Sequence, residues 1–448
     1  MLITGKRSEI IKIAPILRAL RRKKINPITI DVSQHRGWLM KGSFYLELGY
    51  PKPNYTLEYG AGVRGGDVFH ICDELSKIIS EDKPDYVVAA GASDTVLAAA
   101  RASVTLEKPF LHVESGYRSY DLECHEEINR QFVDGVSTFH YAPTRRAYDN
   151  LMLENVSSDR AVEVGSTVID SLTRFLPFSR RRSEILDELD VSKNEYLLLT
   201  LHKEENIAPS LLTQLLRALR ALDHVVVFPM HPETRGAMKR FSLYKDFSDL
   251  ENLLILEPLD YLDFLKLEEN ARLVLTDSGE VCEEATFLEK PLLILGKTVE
   301  RPEPLEAGAA LLSPLDRASI IGGVKRLLDA DLRSVFRRVR FAFGRGEASE
   351  RISDHILRGE IEYLPPRITL DKPLFYKIFY IGKELTLGDL QDASSEAGCT
   401  IQIAFGEDGE PVRDASERVD RALISGDVIS LKALDERIGV TRGAVEDN

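Results

Sequence analysis

Acidic and basic side chains follow one apolar run of the sequence in a pattern that could move protons. Glu114 comes directly after the run at residues 110–113, and Glu126 and Arg130 lie a short distance further along the chain. Two carboxylates whose environments separate their pKa values are the usual groups of general acid–base catalysis. A solvated acidic loop is the alternative, and the spacing by itself does not decide between them.

A second polar cluster follows the apolar run at residues 273–275. There Ser278 and Gly279 form a turn before a predicted helix. The first N–H groups of a helix have no partner within it and lie at the positive end of its dipole, so this turn could bind a diphosphate. Alternatively, Ser278 only caps the helix. Glu283 and Glu284, one turn further on, could reach the hydroxyls of a ribose or lie in solvent.

Further charged groups lie at the ends of other predicted strands. Arg7 and Lys12 lie near the start of a helix predicted over residues 8–24. Cations there oppose the helix dipole unless an anion binds. His202 and His231 each follow a strand and could transfer protons or contact phosphate, although a single histidine is more often structural. No set of His, Cys and Asp has the spacing of metal ligands, so we expect neither a metal nor another cofactor.

Short apolar runs alternate with amphipathic helices through most of the chain, which is typical of parallel sheets built from β–α–β units. The predicted strands of the first series are residues 2–4, 27–32, 86–90, 110–113 and 140–141. Those of the second series are residues 196–201, 224–229, 253–256, 273–275 and 292–295. Ligands bind at the carboxyl ends of such strands, where the polar clusters lie.

The two series predict an α/β protein with two Rossmann-like domains, residues 1–170 and 171–363. The boundary falls near Asp170, before an arginine-rich helical stretch around residues 174–193. We expect the last helix of the second domain to pack back on the first.

The sequence changes character at Pro365 and Pro366, which disfavour a helix and mark a linker. Beyond them we predict a small appended α+β domain, residues 364–448, of unknown role. Its predicted elements are a strand at 375–381, a helix at 387–397 and a strand at 400–405.

The composition argues against several classes of protein. The chain has 448 residues, a hydrophobic content of 44% and a formal net charge of -14. Nucleic-acid binding needs a concentrated basic surface, which this charge opposes. No apolar run reaches the roughly 18–20 residues that span a bilayer, and charges interrupt the start where a signal peptide would be apolar. Because the four cysteines are scattered, we expect a cytoplasmic protein.

Taken in order, these segments resemble the non-hydrolysing UDP-N-acetylglucosamine 2-epimerases, from about residue 2 to about residue 357. The segments that carry the resemblance are GKRSEIIKIAP (5–15), QHR (34–36), HVESGYR (112–118), EEINR (126–130), VGSTVID (164–170), LHKEEN (201–206), TDSGEVCEE (276–284), and ERPE (300–303) with AG (307–308). The resemblance implies a GT-B-like arrangement of two Rossmann domains with the ligand in the cleft.

The resemblance also implies an activity. Members of the family invert carbon 2 of the sugar of UDP-N-acetylglucosamine and form UDP-N-acetylmannosamine, for surface polysaccharide or glycan precursors. They eliminate UDP, leave a bound 2-acetamidoglucal, and add UDP back after reprotonation on the other face. The implied partner is a UDP-amino-sugar, and the implied assembly is a homodimer.

Residue roles follow from the same resemblance. It places the diphosphate and cleft contacts at Arg7, Lys12, Arg130, Ser278 and Gly279, the ribose contact at Glu284, and an aromatic beside the uracil at Phe264. It assigns proton transfer and transition-state stabilisation to Glu114, Glu126 and His202, with His231 as a further cleft residue.

The chain departs from the family pattern at several places, among them Lys6 and Ser8 around Arg7, and Lys203. Ala92 stands where the family has the aspartate of a Gly-Asp-Thr turn, and Asp94 follows two residues later. Glu280 replaces a glycine beside the expected diphosphate, which it would repel unless it points to solvent. Gln34 and His35 match part of an allosteric UDP-sugar site of some bacterial members, but the next residues do not continue that pattern.

Three functions are compatible with these residues. The first is the epimerase, with Asp94 or the pair Glu114 and Glu126 taking over from the missing aspartate. The second is a hydrolase or a glycosyltransferase of the same fold. The third is a UDP-sugar-binding regulator that has lost turnover.

Overall fold

Short and mostly buried strands alternate with amphipathic helices along the chain, as the spacing of its apolar runs predicts. The computed structural model describes residues 1–33, 45, 47–58, 66–363, 375–380, 386–397, 400–405, 416, 419 and 421–426. The chain divides into two compact units. The first contains residues 1–119 and 137–365, and the second contains residues 120–136 and 366–448.

The first half of the chain contributes a parallel sheet of seven described strands. In chain order its elements are β1 (Leu2–Thr4), α1 (Arg7–Arg22), β2 (Thr29–Ser33), β3 (Tyr55–Glu58), α2 (Gly66–Asp82), β4 (Val87–Ala90), α3 (Asp94–Thr105), β5 (Phe110–Val113), α4 (His125–Val136), β6 (Phe139–Ala142), α5 (Arg145–Leu153) and β7 (Ala161–Glu163). The sheet order is β3-β2-β1-β4-β5-β6-β7. The order reverses between β1 and β4, and ligands of doubly wound sheets bind at this kind of switch point.

The second half repeats the pattern with six described strands. Its elements are α6 (Thr167–Arg182), α7 (Ile185–Glu188), β8 (Tyr196–Thr200), α8 (Pro209–Arg220), β9 (Val225–Pro229), α9 (Pro232–Arg240), α10 (Tyr244–Ser248), β10 (Leu253–Leu256), α11 (Tyr261–Asn270), β11 (Leu273–Thr276), α12 (Gly279–Phe287), β12 (Leu292–Leu295), α13 (Glu303–Glu306), β13 (Ala310–Ser313), α14 (Arg317–Asp329), α15 (Arg333–Val339) and α16 (Ala348–Arg358). The sheet is parallel in the order β10-β9-β8-β11-β12-β13, so its switch point lies between β8 and β11. The expected pair of Rossmann-like sheets is confirmed.

Helices of the two halves share one apolar core. Buried Ile13 on α1 and Leu172 on α6 belong to the same cluster as Leu265 on α11. Helix α6 packs against both α1 and α11, and α16 returns to pack against α1. The two sheets are therefore held together by helix packing as well as by the connecting chain.

The helical stretch predicted around residues 174–193 is wrong in its extent. Helix α6 begins earlier, at Thr167, where the Ser166 hydroxyl accepts a hydrogen bond from the Val168 N–H. The helix ends at Arg182, and the short α7 follows. The polar arginines concealed this start because they form only the last turn of a helix whose first turns are buried. The predicted boundary at Asp170 thus falls inside a continuous helix.

The chain crosses between the two sheets twice, and the two crossings touch. Gly165 and Gly344 have φ angles of +93° and +99°, a region that L side chains rarely adopt. The Ser166 N–H donates to the Phe343 carbonyl at 2.8 Å. Asp170 accepts hydrogen bonds from the N–H groups at the start of α16, at 2.8 and 3.1 Å. These contacts fix the angle at which the chain leaves the first sheet and returns to it.

The second compact unit contains α4 together with an antiparallel sheet. The elements of its C-terminal part are β14 (Phe375–Tyr380), α17 (Leu387–Ala397), β15 (Thr400–Phe405) and β16 (Arg421–Gly426), with the sheet order β14-β16-β15. The two predicted strands and the predicted helix are present, whereas β16 was not predicted. Across the described residues, no helix combines the length and the apolar character that a membrane span needs.

Candidate functional site

The loops that follow β1 and β5 in the first sheet, and β8 and β11 in the second, together with the first two turns of the helices after them, carry most of the candidate residues. The loop after β1 is held by a buried glutamate. Glu9 accepts hydrogen bonds from the Gly5 and Lys6 N–H groups at 2.5 and 3.2 Å. Gly5 also lies against Thr95, so that a larger residue there would overlap the Thr95 side chain. Helix α1 therefore begins in a fixed position and directs Lys12 inwards.

Lys12 lies at the centre of an ion cluster that joins the two halves. We use the name central ion cluster for Lys12, Glu114, Glu280, Glu283 and Arg301. The Lys12 ammonium is 2.6 Å from Glu114 Oε2 in the first half and 2.6 Å from Glu280 Oε1 in the second. Burial lowers the pKa of Lys12, but the two carboxylates raise it more, and the net pKa lies above its ordinary value. Lys12 therefore stays charged.

Glu114 has an unusual backbone and a buried side chain. Its φ is +67°, and only 3% of its side-chain surface is exposed. One carboxylate oxygen binds Lys12, whereas Oε1 has no hydrogen-bond partner among the described residues. The nearest cation on that side is Arg301, whose Nη2 lies 3.6 Å away. A non-glycine residue in the left-handed region persists only where its surroundings hold it there, and such residues cluster at functional sites.

Arg301 and Glu283 complete the central ion cluster. The Arg301 guanidinium covers Gly279 so closely that any Cβ there would overlap it, and it lies 4.2 Å from the centre of the Tyr117 ring. Glu283 Oε1 accepts from Arg301 Nε at 2.5 Å and from the Tyr117 hydroxyl at 3.1 Å. The Ser166 hydroxyl donates to the other oxygen of Glu283. Burial raises the pKa of Glu283 to about 7, against the lowering effect of Arg301.

Glu280 points into the cluster and not to solvent, so its carboxylate lies where it would repel a diphosphate. Its Oε2 accepts from the Ser278 hydroxyl at 3.0 Å while Oε1 binds Lys12. Burial raises the pKa of Glu280, but Lys12 and Arg301 lower it more, so the net pKa lies well below its ordinary value. The carboxylate is therefore charged.

Asp277 positions His202 from the neighbouring strand. It accepts hydrogen bonds from the backbone N–H groups of His202 at 3.1 Å and of Lys203 at 2.9 Å, and from the Asn206 amide at 3.1 Å. His202 Nδ1 lies 3.1 Å from Asp277 Oδ1, and the His202 ring is 5.6 Å from the ring of His231. Both predicted histidines thus lie together. His231 is also the N-cap of α9, so it has a structural role at the start of that helix.

Glu284, the predicted ribose contact, is buried rather than solvated. It accepts a hydrogen bond from the Tyr261 hydroxyl at 2.6 Å. Burial raises the pKa of Glu284 to about 8, the Tyr261 hydroxyl opposes this rise, and the nearby charges of Glu280 and Glu283 add to it. Phe264, the predicted uracil contact, lies on α11 and packs, partly buried, against the apolar cluster that contains Val227 and Leu267. Neither residue joins the central ion cluster.

Arg7, also predicted at the diphosphate, links the two halves. Its guanidinium donates to the Leu259 carbonyl at 2.7 Å. Burial lowers the pKa of Arg7 to about 10, although Glu47 and Asp260 raise it. The Tyr261 and Leu262 N–H groups in turn donate to Glu47 at 2.9 and 3.0 Å. Arg7 is charged at neutral pH and lies at the edge between the halves.

Ala92 and Asp94 lie in the turn between β4 and α3. The turn approaches the central ion cluster, because a Cβ at Gly91 would lie 3.4 Å from Lys12 Nζ and 3.7 Å from Glu114 Oε2. Ala92 is 8% exposed, and Asp94 is the first residue of α3 after its N-cap Ser93. Of the two departures from the family pattern at Ala92 and Glu280, Glu280 thus contacts the Lys12 ammonium directly, and Ala92 follows directly after the glycine that approaches it.

Two predicted residues belong to the second compact unit, and two lie outside the described residues. Glu126 and Arg130 lie on α4, where Arg130 forms an ion pair with Glu127 at 2.5 Å. Gln34 and His35 are not among the described residues. Within the described part of the chain, no group of three or more His, Cys, Asp and Glu side chains could hold a metal ion.

Sequence reasoning missed the roles of Arg301, Tyr117, Glu283 and Asp277 in this site. Each of them lies in a segment that carries the family resemblance, but spacing does not reveal a contact between segments more than 150 residues apart, such as Tyr117 and Glu283, which are separated by 166 positions. The signal in the sequence that could have identified these residues was the high density of polar residues within each motif. A polar residue within such a motif, next to an assigned residue, is a candidate for the same site.

Comparisons with known proteins agree with the geometry. A family model described as UDP-N-acetylglucosamine 2-epimerase matches residues 18–357. The UDP-N-acetylglucosamine 2-epimerase of Methanocaldococcus jannaschii is 35% identical over 358 residues, which are 78% of this chain and 96% of that protein. The UDP-2,3-diacetamido-2,3-dideoxy-D-glucuronate 2-epimerase of Pseudomonas aeruginosa is 32% identical and covers 80% of this chain and 98% of its own.

Solved structures give the same result. The crystal structure of the Methanocaldococcus jannaschii enzyme with UDP-GlcNAc and UDP matches with a TM-score of 0.76 and 35% identity, over 80% of this chain and 99% of that chain. The enzyme of Neisseria meningitidis bound to UDP-GlcNAc matches with a TM-score of 0.72 and 27% identity, over 80% of this chain and 99% of that chain. By the match of its sequence and of its two sheets, the chain belongs to the UDP-N-acetylglucosamine 2-epimerase family.

Proposed function

We propose that the protein interconverts UDP-N-acetylglucosamine and UDP-N-acetylmannosamine. The observation that carries this proposal is the placement of Glu114. A strained backbone holds a buried carboxylate beside Lys12, with its second oxygen turned towards Arg301. Relatives with this activity in their names extend over nearly four-fifths of the chain. The product would serve surface polysaccharide or glycan synthesis.

The reaction needs a leaving group that is firmly held. The proton at carbon 2 is not activated by a carbonyl, so we propose that the enzyme eliminates UDP and later adds it back to the other face. Cations and helix N-termini stabilise the negative charge that develops on a departing diphosphate. Lys12, the start of α12 at Ser278 and Gly279, and Arg7 supply such groups. We assign the diphosphate to them, with Arg301 as an addition.

The proton transfers fall to the remaining acid–base groups. Glu114 and Glu126 are assigned as the carboxylates, and His202, oriented by Asp277, as a further participant. Ala92 can neither take nor give a proton. The loss of one acid–base group typically lowers a rate by about 10²–10⁴, so we expect a slower enzyme than a relative that has an aspartate there. Asp94, two residues later, is assigned as the group that takes over part of that role.

The nucleoside is assigned to the second half of the chain. Glu284 is proposed to contact the ribose, Phe264 the uracil, and His231 a further part of the cleft. Arg130 is proposed, from the family resemblance, as a diphosphate or cleft contact. The hydrogen bond from the Tyr261 hydroxyl to Glu284 fixes the position of the Glu284 carboxyl group that we assign to the ribose. A buried carboxyl with a raised pKa can donate a hydrogen bond as well as accept one.

We also propose a homodimer that works in the cytoplasm, which rests on the family resemblance and on the cysteines. Cys72, Cys124 and Cys282 are buried and form no disulfide among the described residues, as is usual in a reducing compartment. Light scattering on the purified protein tests the assembly. A monomer at micromolar concentration would contradict it.

Nuclear magnetic resonance of the protein with UDP-N-acetylglucosamine tests the function. We expect slow appearance of UDP-N-acetylmannosamine until the two isomers reach equilibrium. Release of UDP with free sugar would identify a hydrolase instead, and a need for an acceptor would identify a transferase. Binding of UDP without any change in the sugar would identify the non-enzymatic regulator.

A further inference from the structure

We propose that Glu280 is an affinity-determining residue, which occupies Lys12 in the unliganded enzyme and must release it when the diphosphate of the ligand binds. The proposal rests on the proposed function, because it requires a nucleotide diphosphate to meet Lys12. It assigns a role to a residue that stands where the family pattern has a glycine.

The geometry places Glu280 where an anion would otherwise lie. Glu280 is the second residue of α12, directly after Ser278 and Gly279. Its carboxylate reaches from the second half of the chain to Lys12 in the first half at 2.6 Å, and it accepts the Ser278 hydroxyl at 3.0 Å. Both of these groups are the ones that a diphosphate at this helix start would use. Glu280 therefore satisfies them internally.

The charges of the central ion cluster make the binding of an anionic ligand unfavourable while Glu280 contacts Lys12. The cluster holds two cations, Lys12 and Arg301, and three carboxylates, Glu114, Glu280 and Glu283. A diphosphate adds further negative charge at close range in a partly buried site, where repulsion is strong. Removal of one carboxylate from Lys12 would relieve most of that repulsion.

Of the three carboxylates, Glu280 is the one able to leave. Its side chain keeps 21% of its surface exposed, compared with 3% for Glu114 and 0% for Glu283. Glu283 is further held by Arg301, Tyr117 and Ser166. A rotation of Glu280 towards solvent would restore its hydration and leave Lys12 with Glu114 as its one remaining carboxylate partner in the cluster. Binding of the diphosphate thus amounts to an exchange of one anion for another at Lys12.

Affinity for UDP measured by isothermal titration calorimetry tests this exchange. We expect Glu280→Gln to bind UDP roughly tenfold to a hundredfold more tightly than the unmodified protein, because the internal competitor has lost its charge. Uridine, which has no phosphate, should bind both proteins equally. The matched control is Glu251→Gln, an exposed glutamate of the second half, which should leave the dissociation constant of UDP unchanged.

A double-mutant cycle tests whether Glu280 acts through Lys12. In a Lys12→Met background the Glu280→Gln change should tighten the binding of UDP clearly less than in the unmodified protein, because only the direct repulsion between Glu280 and the diphosphate remains. Glu280→Gly serves as a second variant, and thermal unfolding of each variant verifies that it is folded. Equal or weaker UDP binding by both Glu280 variants would overturn the inference while leaving the proposed function intact. Absence of UDP binding in every protein, including the unmodified one, would overturn the proposed function and the inference together.

Discussion

At the scale of single residues, the site is a balance of buried charges rather than a set of isolated catalytic groups. Lys12 is shared by Glu114 and Glu280, and Arg301 is shared by Glu283 and Glu114. A lone buried charge would be very unfavourable, whereas paired charges hold each other in place. The shared pairing explains how a carboxylate such as Glu114 stays ordered without a ligand.

The buried carboxyl of Glu284 predicts how the stability of the unliganded protein changes with pH. Its pKa is about 8 in the folded chain, compared with about 4.3 for an unfolded glutamate. Between these values the folded state binds more protons than the unfolded state, so the free energy of unfolding falls as the pH rises. We expect Glu284→Gln to reduce this fall.

The measurement is the melting temperature at about pH 5.5 and about pH 8.5, where each kcal/mol corresponds to roughly 2–4 °C for a domain of ordinary size. The exposed control Glu251→Gln should lose as much stability over this interval as the unmodified protein. Glu283 and Glu268 also have raised pKa values, so a part of the fall should remain in Glu284→Gln. An undiminished fall in that variant would contradict the assignment of a raised pKa to Glu284.

Among single residues, those that follow directly after an apolar strand could be predicted from the sequence. Glu114, His202 and Ser278 were predicted as site residues on that basis, and each lies at the carboxyl end of a strand. Arg301 was not assigned a role, because no strand end marks it and its partners Tyr117 and Glu283 come from distant segments. Only the folded chain shows that these groups meet.

At the scale of elements, the two crossings between the sheets depend on glycine. Gly344 has a φ of +99°, and a Cβ there would lie 3.2 Å from Gly165 Cα. We expect Gly344→Ala to lower the free energy of unfolding by about 1–3 kcal/mol, because a left-handed conformation and a tight backbone contact both penalise the new methyl group. Urea unfolding measures the change.

The matched control for this substitution is Gly322→Ala on α14. Gly322 is exposed and has open space around its Cβ position. Alanine within an exposed helix is favoured over glycine by about 0.5–1 kcal/mol, so this variant should be slightly more stable than the unmodified protein. If both variants changed stability in the same direction, the account of the crossing would be wrong.

In the two parallel sheets the central strands were predictable from the sequence, whereas several edge strands were not. All ten strands predicted for the two sheets are present, with ends that agree to within two residues. The missed strands β3, β7 and β13 all lie at the edge of a sheet. An edge strand is covered on fewer sides, and β7 accordingly has two exposed residues out of three. β3 and β7 lack the continuous apolar run that identifies a buried parallel strand, whereas β13 overlaps a short apolar run at residues 309–312 that was not assigned.

At the scale of the whole molecule, the two halves are tied together by polar contacts in addition to their shared apolar core. The ties are the ion pair of Lys12 with Glu280, the hydrogen bonds of Glu283 with Tyr117 and Ser166, and those of Glu47 with the start of α11. The family match ends at residue 357. Residues 366–448, which are grouped with α4 in the second compact unit, lie beyond that match.

The central claim is that this protein breaks and remakes the bond between carbon 2 of the sugar and its hydrogen. The most direct test incubates the protein with UDP-N-acetylglucosamine in heavy water. Nuclear magnetic resonance then measures the incorporation of solvent deuterium at carbon 2. We predict that both isomers carry deuterium at carbon 2, and that Glu114→Gln lowers the rate of incorporation by about 10²–10⁴ while UDP still binds. Tight binding of UDP by the unmodified protein with no deuterium at carbon 2 after prolonged incubation would contradict the claim.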